Sequence, residues 1–76
     1  MVMNDGEFTA KLHWDATYEL VLSLMAAYPE VDVEMVGTET LFEWIVALPN
    51  FVDDPELANE EILNGILREW YEEVNS

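Results

Sequence analysis

A mainly α-helical domain is what this sequence predicts: three helices, compact, with one short extended segment between the first two. Three observations carry that reading. Apolar residues recur at helical spacing in three separate stretches, each stretch is bounded by a proline or a capping residue, and a tryptophan accompanies each one (Trp14, Trp44 and Trp70). With 51% apolar residues and nine aromatics among 76 positions, the chain is too hydrophobic for a disordered acidic tail. Its length is that of one domain. Such a domain is stable by roughly 4–11 kcal/mol at about 0.05–0.15 kcal/mol per residue. There is no cysteine to form a disulfide or a thiolate metal site, and a lone His13 cannot build a structural zinc centre. The fold therefore has to stand on apolar packing.

Residues 1–11 show no period and read as a flexible lead-in, leaving 12–76 as a single domain. Asp15 is placed to cap the first helix, because its carboxylate can accept from the free amides of the first turn. Behind it Tyr18, Val21, Leu22 and Met25 recur at helical spacing, with Leu24 and Tyr28 widening the stripe. Pro29 ends this helix by pushing its predecessor out of the α region. From Glu30 to Met35 acidic and apolar residues alternate, which fits a half-buried strand; Asp32 capping a single helical turn before an extended segment fits equally. Gly37 breaks that run, and Thr38 or Thr40 is in position to cap the second helix. Leu41, Trp44, Ile45 and Leu48 then give its apolar stripe, and Pro49-Asn50 closes it.

Phe51 and Val52 pack as the chain crosses over. Asp53-Asp54-Pro55 reads as the start of the third helix, a capping carboxylate followed by proline at the first helical position. Asn59 offers a second cap, so the start falls between Asp54 and Asn59. Ile62, Leu63, Ile66, Leu67, Trp70 and Val74 form the apolar face, with Glu60, Glu61, Glu69, Glu72 and Glu73 on or near the other side. Glu72 and Glu73 oppose the negative end of the helix dipole, at a few tenths of a kcal/mol each. The three tryptophans are expected to meet in the centre of the core.

Charge narrows the function. Seventeen Asp and Glu face only Lys11 and Arg68, a formal charge of −15. Nucleic-acid binding and anionic membrane surfaces both require Lys and Arg, so neither is an expected partner. A field of this sign attracts a basic protein surface or a divalent cation. The longest apolar stretch, from Leu20 to Tyr28, is far short of the ~20 residues that span a bilayer. No signal peptide stands at the start of the sequence, so a cytoplasmic location is expected. No GxSxG, phosphate loop, HExxH or cysteine nucleophile occurs, and an enzyme is not expected.

From Leu12 onward the sequence resembles the IscX family, small acidic accessory proteins of iron–sulfur cluster assembly. The likeness lies in Trp14, Ala27-Tyr28-Pro29 with Asp32, Trp44-Ile45 with Leu48, and Phe51. It is most specific in Asp53-Asp54-Pro55 followed by Asn59-Glu60, Ile62-Leu63 and Trp70. Four places depart from the family pattern: Val33, Gly37-Thr38-Glu39, Glu43 after Phe42, and Gly65, which replaces a better helix former. The resemblance implies a winged-helix-like three-helix domain whose wing is short or vestigial. It also implies contact with a cysteine desulfurase and weak binding of ferrous iron; a monomer without a tightly bound cofactor is expected. An iron carrier serving the cluster scaffold and an acidic nucleic-acid mimic are the alternative readings.

Candidate site residues are drawn from the acidic positions and from the residues that carry the resemblance. One of Asp53 and Asp54 caps a helix, and the other is expected to point outward. With Glu30, Asp32 and Glu56 the pair would offer an oxygen-only patch for a divalent ion, weak and poorly selective for Fe2+ over manganese. The partner surface is expected on Asp53, Asp54, Glu60, Glu61, Tyr28 and Asp32. His13 reads as a surface imidazole.

Overall fold

The computed structural model describes residues 11–75, and in them the expected three helices form. They are α1 (Thr17–Ala27), α2 (Thr38–Val46) and α3 (Glu60–Val74), joined through two 3-10 turns at Val33–Met35 and Pro55–Leu57. No β-strand occurs among the described residues; Leu12 and Phe51 make an isolated parallel bridge. The lead-in expected over residues 1–11 lies, Lys11 apart, outside the described residues.

α3 is the hub. It packs along α1 and α2 and against the first 3-10 turn, while α1 and α2 touch each other less. Its buried side chains, Leu63, Ile66 and Trp70, follow the i, i+3, i+7 spacing that points one stripe inward. α2 contributes Leu41 and Ile45, and Leu12, Trp14, Val33 and Val36 close the ends of the core. Each such side chain taken out of water contributes about 1.5–3 kcal/mol before entropy is charged against it. No polar or charged side chain is buried among the described residues.

Four local expectations need correction. α1 buries Leu20, Val21 and Leu24, while Tyr18 and Leu22 of the predicted stripe are exposed. The helix is apolar almost all round, so several stripes fit its spacing, and only packing against α3 selects one. Asp15 does not cap α1: the N-cap position is Ala16, with no side-chain hydrogen bond. Neither threonine caps α2, whose N-cap is Gly37; Thr38 instead donates through Oγ1 to Glu60 Oε2 at 3.2 Å. Val74, expected on the inner face of α3, stands exposed because the core ends at Trp70.

The open alternative over Glu30 to Met35 resolves to a capped turn. The Asp32 side chain accepts from the Glu34 amide at 3.1 Å and starts the 3-10 turn, which Val36 then leaves in extended conformation. The alternation does not set burial here: Val33 and Val36, three apart, turn inward, while Met35 of the alternating set stays in water with Asp32 and Glu34. The winged-helix expectation finds no wing among the described residues: the segment between α1 and α2 makes no strand pair. The tryptophans also divide. Trp14 stacks on Phe42 (centroids 6.1 Å apart) and meets Phe51 edge-on at 4.9 Å. Trp44 stacks on Tyr28 at 4.0 Å and meets Trp70 edge-on at 6.4 Å. Two aromatic clusters thus replace the single central one.

Candidate functional site

The crossover after α2 brings residues 51–54 alongside 12–14. The Leu12 amide donates to the Asn50 carbonyl at 2.9 Å, and the Val52 amide to the Leu12 carbonyl at 3.0 Å. Asp53 then turns its carboxylate toward the buried Trp14. Oδ2 accepts the Trp14 backbone N–H at 3.0 Å, and Oδ1 accepts the amide of Asp54 at 2.8 Å. The Trp14 indole N–H donates to the Asp54 carbonyl at 2.8 Å. These bonds tie two segments some forty residues apart into one clip. The Trp14 amide, then the Asp54 amide, hold the Asp53 carboxyl below the ordinary carboxylate range; nearby His13 adds to this, and partial burial opposes it. His13 Nδ1 lies 3.8 Å from Asp53 Oδ2, near enough for Coulombic attraction when the imidazole is protonated but too far for a hydrogen bond.

Asp54 caps the second 3-10 turn, its Oδ1 accepting from the Glu56 amide at 2.9 Å, with Pro55 at the first turn position. Asn59 caps α3 separately, accepting from Ile62 at 2.8 Å. The two capping signals read from the sequence are therefore both used, one per turn. The aspartate that does not cap a turn is expected to point outward, and the structure corrects this. Asp53 is the inward one, its side chain 21% exposed.

The other predicted site residues divide between places. Asp54 and Glu56 share one exposed turn beside Asp53. Glu60 and Glu61 lie exposed on the first turn of α3. Glu30 and Asp32 are exposed around the first 3-10 turn, and Tyr28 is half-buried against Trp44. Among the described residues, no group of three or more His, Cys, Asp or Glu side chains stands where it could hold a metal ion. What the arrangement offers is a distributed field. Each of the three helices opens on an acidic first turn and none carries a basic residue in its last.

Sequence reasoning missed an open groove beside the clip, lined by His13 and Asp15 from the start of the domain and by Asp53, Leu57, Ile62 and Gly65 from its later part. No local pattern announces it, since its walls come from segments about forty residues apart.

Fold and site define a class first: a small acidic helical domain whose carboxylates lie at its surface, over a core with no buried polar side chain among the described residues. The chain belongs to the iron–sulphur cluster assembly family, the IscX family, whose model matches residues 12–75. It is also similar to Uncharacterized protein PA3808 of Pseudomonas aeruginosa, 39% identical over 62 residues that cover 82% of this chain and 94% of that one. Membership assigns the chain to iron–sulfur cluster assembly and to protein partners in that process. No helix among the described residues is long and apolar enough to cross a membrane.

Proposed function

We propose that this chain is a cytoplasmic accessory protein of iron–sulfur cluster assembly that acts by binding rather than by catalysis. Its acidic surface docks on a basic patch of a cysteine desulfurase and so tunes the supply of sulfur to the scaffold. The observation that carries this reading is the uncompensated charge. Seventeen acids face two cations, and most of the described carboxylates are exposed. Like charges so arranged repel one another, and a basic partner relieves that repulsion on binding.

Ferrous iron binds weakly in this reading, as diffuse cargo of the carboxylate surface. The exposed acids of the second 3-10 turn, Asp54 and Glu56, and of the first, Glu30 and Asp32, provide oxygen ligands of the right chemistry.

The test is a titration against a cysteine desulfurase at low and at moderate salt. Binding that weakens steeply with salt supports docking by charge. Charge reversal of Asp54 with Glu56, and separately of Glu60 with Glu61, should each give a partial loss. Complete loss from the first pair alone, together with loss of iron binding, would favour the carrier instead. Asp53 is unsuited to this test because its substitution also breaks the clip to Trp14.

A further inference from the structure

The groove beside the clip contains a residue that the fold itself does not explain. Gly65 lies inside α3, six positions from its N-cap, where glycine is a much poorer helix former than alanine. Mid-helix glycines are usually retained for close approach of another element, yet a Cβ built on Gly65 meets nothing within 4 Å. Its φ is not positive, so no backbone conformation requires glycine either. The position is exposed, and it forms part of the groove. Without a side chain there, the groove borders open space at Gly65.

The lining specifies what the groove takes. Leu57, 57% exposed, and Ile62 give it apolar surface, Asp15 and Asp53 bring acidic residues to it, and Thr17 and His13, the latter 3.8 Å from Asp53, complete its polar lining. Asp53 has committed one acceptance on each oxygen to backbone amides. A carboxylate has about four lone-pair sites, so it retains acceptor capacity for a further donor. Apolar surface beside carboxylates matches a long aliphatic stem that ends in a cation. Arginine fits better than lysine, since its guanidinium is more weakly hydrated and presents several donors in a fixed fork.

We infer that the groove between Asp15, Asp53, Leu57 and Gly65 receives one arginine side chain of the basic protein partner, with no side chain at Gly65 to obstruct its stem. The inference rests on the docking reading above and adds to it a single specific seat within a broad acidic surface.

Two substitutions at one position test it. Gly65→Ala and Gly65→Leu both improve helix propensity, and neither meets an internal obstacle at Cβ, so both variants should melt higher than the parent protein. The longer side chain introduced by Gly65→Leu projects into the groove and fills it. Affinity for a cysteine desulfurase at low salt should fall by roughly fivefold or more in Gly65→Leu although stability rises, with a smaller loss in Gly65→Ala. Unchanged affinity in Gly65→Leu overturns the arginine seat and leaves charge-driven docking standing.

A second arm does not need the desulfurase. The 15N-labelled full chain is titrated with N-acetyl-arginine methylamide and, in parallel, with N-acetyl-lysine methylamide. Saturable shifts at the Trp14 indole N–H, Asp53 and Ile62, stronger for arginine and abolished by Gly65→Leu, support the seat even if no desulfurase binding is found. Shifts spread evenly over exposed acids, the same in parent and variant, overturn it.

Discussion

At the scale of the residue, Asp53 and Trp14 carry the most consequence. The Asp53 carboxylate satisfies two backbone amides, one of them on a tryptophan only 4% exposed. Asp53→Ala should therefore lower the melting temperature more than Asp54→Ala, which removes only an exposed turn cap. Thermal unfolding of the two variants at neutral pH checks the order. Because the folded carboxyl is held below its ordinary value of 3.8, its contribution is complete above that value and is lost as pH falls through the lower folded one. The gap in stability between the parent protein and Asp53→Asn should stay constant from about pH 7 to about pH 5 and narrow below about pH 4. A gap that stays constant down to about pH 3 would remove the carboxylate's charge from the explanation. Trp14→Phe forfeits the indole bond to the Asp54 carbonyl and part of the ring volume, a loss of about 1–3 kcal/mol measurable by denaturant unfolding.

At the scale of the element, α3 is the most legible part of the sequence and α1 the least. α3 alternates apolar and charged residues so strongly that its buried stripe of Leu63, Ile66 and Trp70 can be read directly, and Asn59 marks its start. α1 offers apolar side chains on nearly every side, and its spacing points as readily toward the exposed Tyr18 and Leu22 as toward the face that is buried. Two substitutions in α3 have opposite signs. Asn59→Ala removes the cap bond to Ile62 and should cost about 1 kcal/mol. Gly65→Ala fills open space in the helix interior and should stabilise by about 0.5–1 kcal/mol. In a domain this small a change of about 1 kcal/mol moves the melting temperature by roughly 4–8 °C, so both effects are within reach of a thermal melt.

At the scale of the whole molecule, electrostatics opposes the fold. The charge is −15, each helix begins with acids, and none ends with a basic residue. Among the described residues, His13 and Asp53 stand within 4.0 Å of each other, and two cations cannot compensate seventeen acids. Raising ionic strength or adding magnesium should therefore raise the melting temperature, because screening shortens the reach of repulsion to about 10 Å at about 0.1 M. A melting temperature that stays level or falls across a sodium chloride titration would show that the charges are too far apart to matter. In the docking proposed above the same field drives association, so salt should stabilise the free chain and weaken such a complex.

The class of fold, the three helices, their stop signals at Pro29 and Pro49, and the acidic character are all legible in the residues alone. These follow from local periodicity, from backbone limits at proline, and from a charge balance that folding does not change. Motif spacing through Asp53-Asp54-Pro55 to Trp70 was enough to reach the family. Only the tertiary structure decided which face of α1 is buried, that Asp53 rather than Asp54 turns inward, and that His13 and Gly65 share a groove. The physical reason is range. Capping and amphipathicity act within one turn or two, whereas the clip and the groove join segments about forty residues apart, whose meeting is set by how the helices pack.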